Sequence, residues 1–322
     1  MFKSAADLDN WVFVTGVPRS GTTFVGMNLS IPKEVDYIHE PFNPMCGIPE
    51  FRKGTQNWYR YLSGSANSEE KLYQQGIQSV FDYSINLKKL VSQKDTLSRK
   101  IIKQIVGSRG TYYLRLAKLN PWREAAIIKD PVGILLTEYL YLKFQVKPVI
   151  VVKHPASFIA SLKRVGFNPS PVKLQDQQHL KQDYFAEEAQ FFDKQWSDPL
   201  LAAAAFWRIV YKVILTQAKK YPGWIVLTHE ELSQQPVETF HHLYEQLDLP
   251  WSTRVEHKIR VQTEGNKSAD AKQGVVQDFK RNSADIFQQR INSLSQQERQ
   301  DIFEITGDVA LQLYSKDSFA VS

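Results

Sequence analysis

The 322 residues, 43% hydrophobic and 23% charged, are enough for one large α/β domain or two small ones and too evenly mixed for wholesale disorder. A net charge of +6 suits an anionic ligand but lacks the dense basic runs of a dedicated nucleic-acid binder. The single cysteine, Cys46, excludes an intrachain disulfide and a cysteine-based zinc cluster, and a lone thiol fits a reducing, cytoplasmic compartment. The opening MFKSAADLDNW is too polar for a signal peptide. The apolar stretches at 11–17 and 199–207 fall short of the roughly 20 residues a membrane-spanning helix needs, so no span is expected.

In chain order, residues 11–17 form an apolar run that reads as a strand, residues 16–23 a glycine-bearing loop, and Thr22–Leu29 a helix. Strand, loop and helix in this order open many nucleotide-binding α/β folds. The loop, GVPRSGTT, has the spacing of the P-loop GxxxxGK[ST], but Thr22 stands where that loop has its lysine, and Arg19 sits inside. Backbone amides, glycine at close approach and a helix N-terminus together make an anion cradle. Without the lysine that reaches β- and γ-phosphates, the cradle points to an anion smaller than a triphosphate.

Residues 35–38 are a short strand ending at His39-Glu40-Pro41, and 124–129 another, closed by Lys129-Asp130-Pro131. Residues 134–144 have helical spacing. The β-branched run 148–152 suggests a strand buried on both faces, hence a parallel sheet. It ends at Lys153, a helix is expected over 156–164, and Ser161 lies eight residues past the lysine, so both can converge on one phosphate at the carboxyl end of the sheet. A long helix over 200–220, a strand at 224–228 and a helix at 237–247 complete the alternation, which predicts a P-loop NTPase-like, doubly wound, mainly parallel α/β sheet with helices on both faces. Residues 43–123 and 165–196 break it and read as helical insertions within a single domain spanning 1–322, the first on the acceptor side. The adjacent His241 and His242 read as surface.

The run VTGVPRSGTTF resembles the 5′-phosphosulfate loop of the sulfotransferases that use 3′-phosphoadenosine 5′-phosphosulfate (PAPS), especially its PRSGTT form in tyrosylprotein, carbohydrate and bacterial members. That resemblance implies a P-loop-like fold, PAPS as co-substrate with adenosine 3′,5′-bisphosphate as product, and no metal. By it, Arg19, Ser20, Gly21, Thr22 and Thr23 would hold the phosphosulfate. VIVVKHPASFIAS resembles the family's 3′-phosphate segment, with Lys153 and Ser161 as ligands. It departs in Lys153 for arginine and His154 for aspartate or asparagine, and lysine lacks the bidentate fork. Arg281 and Ser283 resemble a late family segment that closes over that phosphate. The chain segments 224–232 and 294–314 are similar to further family elements.

Sulfuryl transfer is an in-line displacement that needs positioning, charge neutralisation and a base for the acceptor hydroxyl. Glu40 resembles the family's Glu-Pro base, with His39 as the rival and His154 a structural residue by the same analogy. Lys129 resembles the lysine of a Lys-Asp-Pro run that stabilises the departing charge. The acceptor is expected to be a glycan-like hydroxyl, or peptide tyrosine as in the tyrosylprotein enzymes, with Trp58, Tyr59, Tyr61, Tyr112 and Tyr113 as candidate lining. The competing reading is a nucleotide kinase, which should carry lysine at position 22 and a magnesium ligand.

Overall fold

The computed structural model describes residues 8–52, 58–63, 68–87, 108–188, 190–263 and 289–321. β1 (Asn10–Thr15), β2 (Val35–His39), β3 (Ala125–Lys129), β4 (Lys147–Val152) and β5 (Ile225–Thr228) form one sheet in the order β2-β3-β1-β4-β5, and every pairing among them is parallel. Their apolar, β-branched character is what a sheet buried on both faces demands. Side chains alternate accordingly. Val12, Val14, Val149 and Val151 face one core, whereas Trp11 and Phe13, and Ile150 and Val152, face cores on the other side.

The helices are α1 (Thr22–Leu29), α2 (Ser68–Phe81), α3 (Arg109–Leu119), α4 (Thr137–Phe144), α5 (Pro155–Val165), α6 (Gln178–Tyr184), α7 (Gln190–Asp193), α8 (Pro199–Lys220), α9 (His229–Gln234), α10 (Pro236–Gln246), α11 (Thr253–Thr263) and α12 (Gln296–Ala310). Val25 and Leu29 of α1, Phe240 and Leu243 of α10 and Ile259 of α11 share the first core. Phe158 of α5, Trp207 and Val210 of α8 and Ile302 of α12 share the opposite one. The fold is thus the expected P-loop-like α/β sheet with helices on both faces.

Local signals explain the boundaries. Pro155 at the first position starts α5, and Gly166 at φ 65° ends it. Thr228 and Glu231 form a capping box that opens α9 directly from β5, a helix the sequence reading left unassigned. The predicted helix over 134–144 splits into a 3₁₀ turn (Ile134–Leu136) and α4, because the Asp130 carboxylate accepts the Val132 and Gly133 amides (2.8 and 3.3 Å) and pins the chain before it. The apolar stretch that starts at Pro199 runs on through the 22-residue α8, long and apolar enough to cross a membrane, yet 67% of its most apolar window is buried among the other elements. Within 43–123 the described residues form a 3₁₀ turn (Pro49–Arg52), α2 and α3. α3 flanks the edge strand β2: its start approaches the His39 carbonyl, and the Asn120 side chain just past its end donates to the Lys33 carbonyl (2.9 Å).

Candidate functional site

All five strands end at the same edge of the sheet, and each end delivers a polar group. After β1 the chain turns into α1 with left-handed backbone at Arg19 (φ 76°) and Gly21 (φ 102°). At Gly16 a Cβ would lie 2.2 Å from the Val151 carbonyl oxygen and 2.5 Å from Ser20 Oγ, so β4 closes on the loop from behind. Ser20, Thr22 and Thr23 are buried. α1 has neither a side-chain cap nor an acidic residue in its first turn, so its amides and positive dipole end face the loop's mouth. Tyr211 of α8 braces the loop: its hydroxyl accepts the Val17 amide (3.1 Å) and donates to the Val151 carbonyl (2.9 Å).

Lys153, at the end of β4, is 2% exposed, and its Nζ lies 3.4 Å from the Arg19 carbonyl oxygen. The loop and the second anion segment therefore meet. Burial and then Arg290 push the Lys153 ammonium well below the usual lysine range, with Arg19 and Arg164 adding to the effect and Glu230 opposing it. Glu230 is itself raised by burial, against Lys153 and a hydrogen bond from the Tyr314 hydroxyl (3.0 Å). A Cβ at Gly21 would stand 3.0 Å from His229 Cδ2, so that ring packs over the loop. Burial, Lys153 and Arg290 hold His229 neutral.

Ser161 is buried, but its hydroxyl donates to the Phe158 carbonyl (2.8 Å). A lone pair alone is left for the convergence on phosphate expected of it. Arg281 and Ser283 lie outside the described residues. Arg164 and Arg290 were missed. Arg164 carried one signal, its place three residues after Ser161 on the same helix face; Arg290 carried none. His154 is fully buried, with Nε2 3.0 Å from Ser318 Oγ and the rings of Tyr314 and Phe319 against it.

Across the sheet, Glu40 follows β2 with left-handed backbone (φ 52°), its amide donating to the Lys129 carbonyl (2.8 Å). The Lys129 ammonium, buried at the end of β3, donates to Glu40 Oε1 (2.5 Å), and Asn43 Nδ2 donates to Oε2 (2.7 Å). Burial of Glu40 favours the acid. Lys129, His39 and these hydrogen bonds outweigh that and hold the carboxyl at about 2. His39 Nε2 is 3.7 Å from Glu40 Oε1 and its Nδ1 3.0 Å from the Tyr37 hydroxyl. Burial, aided by Lys129, lowers His39 to about 3, so it is neutral. Asp130 takes the amides of Phe42 (2.6 Å), Val132 and Gly133, and burial with the Glu40 charge pushes it up to about 7.

The edge thus holds two stations. One gathers cations, glycine backbone and a helix N-terminus around a place for phosphate; the other pairs an accessible carboxylate, 17% exposed, with a buried ammonium. The residues fit a phosphate-bearing group: Arg19, Arg164 and Arg290 crowd Lys153 with positive charge that Glu230 offsets only in part.

Residues 11–253 match the model of the sulfotransferase family. Among solved structures, the sulfotransferase domain of the Synechococcus PCC 7002 olefin synthase is 14% identical, over 96% of this chain and 96% of that one, with a TM-score of 0.46. Sulfotransferase STF9 from Mycobacterium avium is 13% identical over 89% and 77%, TM-score 0.42. Mouse sulfotransferase SULT7A1, complexed with PAP, is 11% identical over 98% and 90%, TM-score 0.38. No curated protein matches the sequence.

Proposed function

The chain belongs to the sulfotransferase family, and from that premise we propose that it moves a sulfuryl group from PAPS to a hydroxyl of a glycan-like acceptor. The supporting observation is the meeting of the GVPRSGTT loop with Lys153, 3.4 Å from the Arg19 carbonyl, inside a cluster of further arginines. A nucleotide with phosphate at both its 3′ and 5′ positions matches that double demand for negative charge. The loop amides, Arg19, Ser20, Gly21, Thr22 and Thr23 receive the 5′-phosphosulfate. Lys153, with Arg164 and Arg290, faces the 3′-phosphate, while Ser161, its proton given to the Phe158 carbonyl, offers it no donor.

In the transfer, the acceptor oxygen forms a bond to sulfur while the bond from sulfur to the bridging phosphate oxygen breaks, its electron pair remaining on the phosphate. Glu40 takes the acceptor's proton, and Lys129 neutralises charge on the departing oxygen. The paired resting geometry serves both roles. Lys129 keeps Glu40 ionised until the donor's oxygens draw the ammonium away, which leaves the buried carboxylate more basic. Neutral His39 stands 3.7 Å from the carboxylate, its other ring nitrogen at the Tyr37 hydroxyl.

Transfer of labelled sulfate from PAPS into a panel of glycans, tyrosine peptides and phenols, with wild type and Glu40→Gln, tests this. The variant is expected to lose turnover by about 10²- to 10⁴-fold, with calorimetric affinity for adenosine 3′,5′-bisphosphate retained. Equal turnover removes Glu40 as the base, and a wild type that does not bind the bisphosphate removes the donor.

A further inference from the structure

Glu40 opens a short, tightly closed loop. Its amide donates to the Lys129 carbonyl (2.8 Å), the Phe42 amide donates to Asp130 Oδ2 (2.6 Å), and the Ile48 amide returns to the Pro41 carbonyl (2.8 Å). A Cβ at Gly47 would lie 2.1 Å from the Pro41 carbonyl oxygen, so the chain folds back there with no room for a side chain. Asn43 ties this loop together. Its carbonyl accepts the amides of Cys46 (3.2 Å) and Gly47 (2.7 Å), and its side-chain oxygen accepts the Met45 amide (2.9 Å). That last bond fixes the orientation of the side-chain amide. Oδ1 takes the Met45 N–H, so Nδ2 is the atom turned to Glu40 Oε2, 2.7 Å away.

The two oxygens of the Glu40 carboxylate therefore have different partners. Oε1 takes the Lys129 ammonium (2.5 Å), with His39 Nε2 3.7 Å away; Oε2 takes Asn43, with Cys46 Sγ 3.9 Å away. The ammonium is a point charge on a flexible stem and is drawn to an incoming anion. The Asn43 amide is uncharged and tied to the loop by its own oxygen. A phosphosulfate can recruit the first partner but not the second. Once the ammonium turns to the donor, Oε1 is the oxygen that comes free, and Asn43 keeps the carboxylate from rotating.

We propose that Asn43 is a positioning residue for the transfer: it clamps Oε2 of Glu40 so that Oε1 meets the acceptor hydroxyl as the proton-accepting atom. This rests on the sulfotransferase reading above. The acceptor proton passes to Oε1, the new O–S bond forms at the acceptor, and the old S–O electron pair stays with the bisphosphate. Asn43 exchanges no proton. The clamp also bears on the carboxyl's basicity. Burial raises it; Lys129 and His39 lower it, and the Asn43 bond, made to the ionised form, adds to them. The other titratable groups that sense the Glu40 charge, Asp130, Tyr37 and Tyr59, are pushed up by burial and, in smaller part, by that charge.

The test compares full-length wild type with Asn43→Asp and Asn43→Ala. Aspartate keeps the shape and an oxygen for the Met45 amide but sets a carboxylate against Glu40; alanine removes both contacts and adds no charge. Both variants are expected to bind adenosine 3′,5′-bisphosphate within about twofold of wild type, while kcat for sulfate transfer to the acceptor panel falls about ten- to a hundredfold. Profiles of kcat/KM against pH supply a readout that merely holding the loop would not move. The acid limb is expected at higher pH in Asn43→Asp than in wild type, because a like charge replaces a donor. Wild-type kcat in either variant, or an acid limb in Asn43→Asp that coincides with that of wild type, overturns the inference. Bisphosphate affinity that falls in step with kcat overturns it too, since the whole site has then shifted. Glu40→Gln separates the two readings. If it transfers sulfate as wild type does, Glu40 is not the base and both fail; if it is inactive while the Asn43 variants are unimpaired, this inference alone fails.

Discussion

At the scale of single residues, Glu40 and Lys129 control each other. Burial raises the Glu40 carboxyl, and Lys129 is the largest influence lowering it, to about 2. In wild type, then, Glu40 is ionised across the whole working pH range, and no acid limb in the rate should come from it. Lys129→Met keeps the buried aliphatic stem but deletes the charge. With burial unopposed by that ammonium, the carboxyl moves above its ordinary 4.5. Residual turnover in the variant should therefore decline as pH falls through a value above 4.5, on top of an overall loss of about 10²- to 10³-fold in kcat from the missing charge stabilisation. Profiles of kcat/KM against pH for both proteins check this. Coincident acid limbs would show that the ammonium does not set the base's proton affinity.

At the scale of elements, the loop is useful only if β4 and α8 hold it, and one phenol links all three. Tyr211 takes the Val17 amide and gives its proton to the Val151 carbonyl. Tyr211→Phe keeps the packing with Trp207 (centroids 4.8 Å apart) but strands a buried N–H and C=O. Stability should drop by about 1–3 kcal/mol, and affinity for the bisphosphate should fall with it; denaturant unfolding and calorimetry measure the two. This brace was not readable in the sequence, because Tyr211 and Val17 stand 194 positions apart and an apolar helix face predicts burial without naming partners. The strand ends were readable. Runs such as VIVV and AAIIK predict strands buried on both faces, and the polar residues that stop them (Lys129, Lys153, Glu40) must then lie at one edge of a parallel sheet. Arg290 was hidden for the opposite reason: a cation on a polar segment looks solvated until the fold brings it to Lys153. Ser161 was placed correctly on its helix, yet spacing could not show that its proton is given to the Phe158 carbonyl. The capping pair Thr228 and Glu231, which the sequence reading passed over, explains why β5 runs straight into α9.

At the scale of the whole molecule, building a site from five strand ends buries titratable groups throughout the fold, and this ties stability to pH. His154 joins the ends of β4 and the chain's last turn, Lys316–Phe319, and burial lowers it from 6.5 to about 3. The unfolded chain thus binds a proton between those values that the folded chain refuses. Stability from this residue is complete above 6.5 and is lost as pH falls toward 3, by about 1.4 kcal/mol per pH unit. His39 acts with the same sign. Asp130, raised from 3.8 to about 7, acts with the opposite one, because its folded form holds a proton that the unfolded form gives up. The net slope mixes these effects, so the informative quantity is the difference between wild type and His154→Phe, in which His39 and Asp130 cancel. From pH 6.5 to 5 wild type should lose about 2 kcal/mol more than the variant in denaturant unfolding, whatever offset the lost Ser318 hydrogen bond introduces at neutral pH. A difference that stays constant across that interval would mean that His154 is not held neutral, and that the terminal turn packed against it opens readily enough to let a proton in.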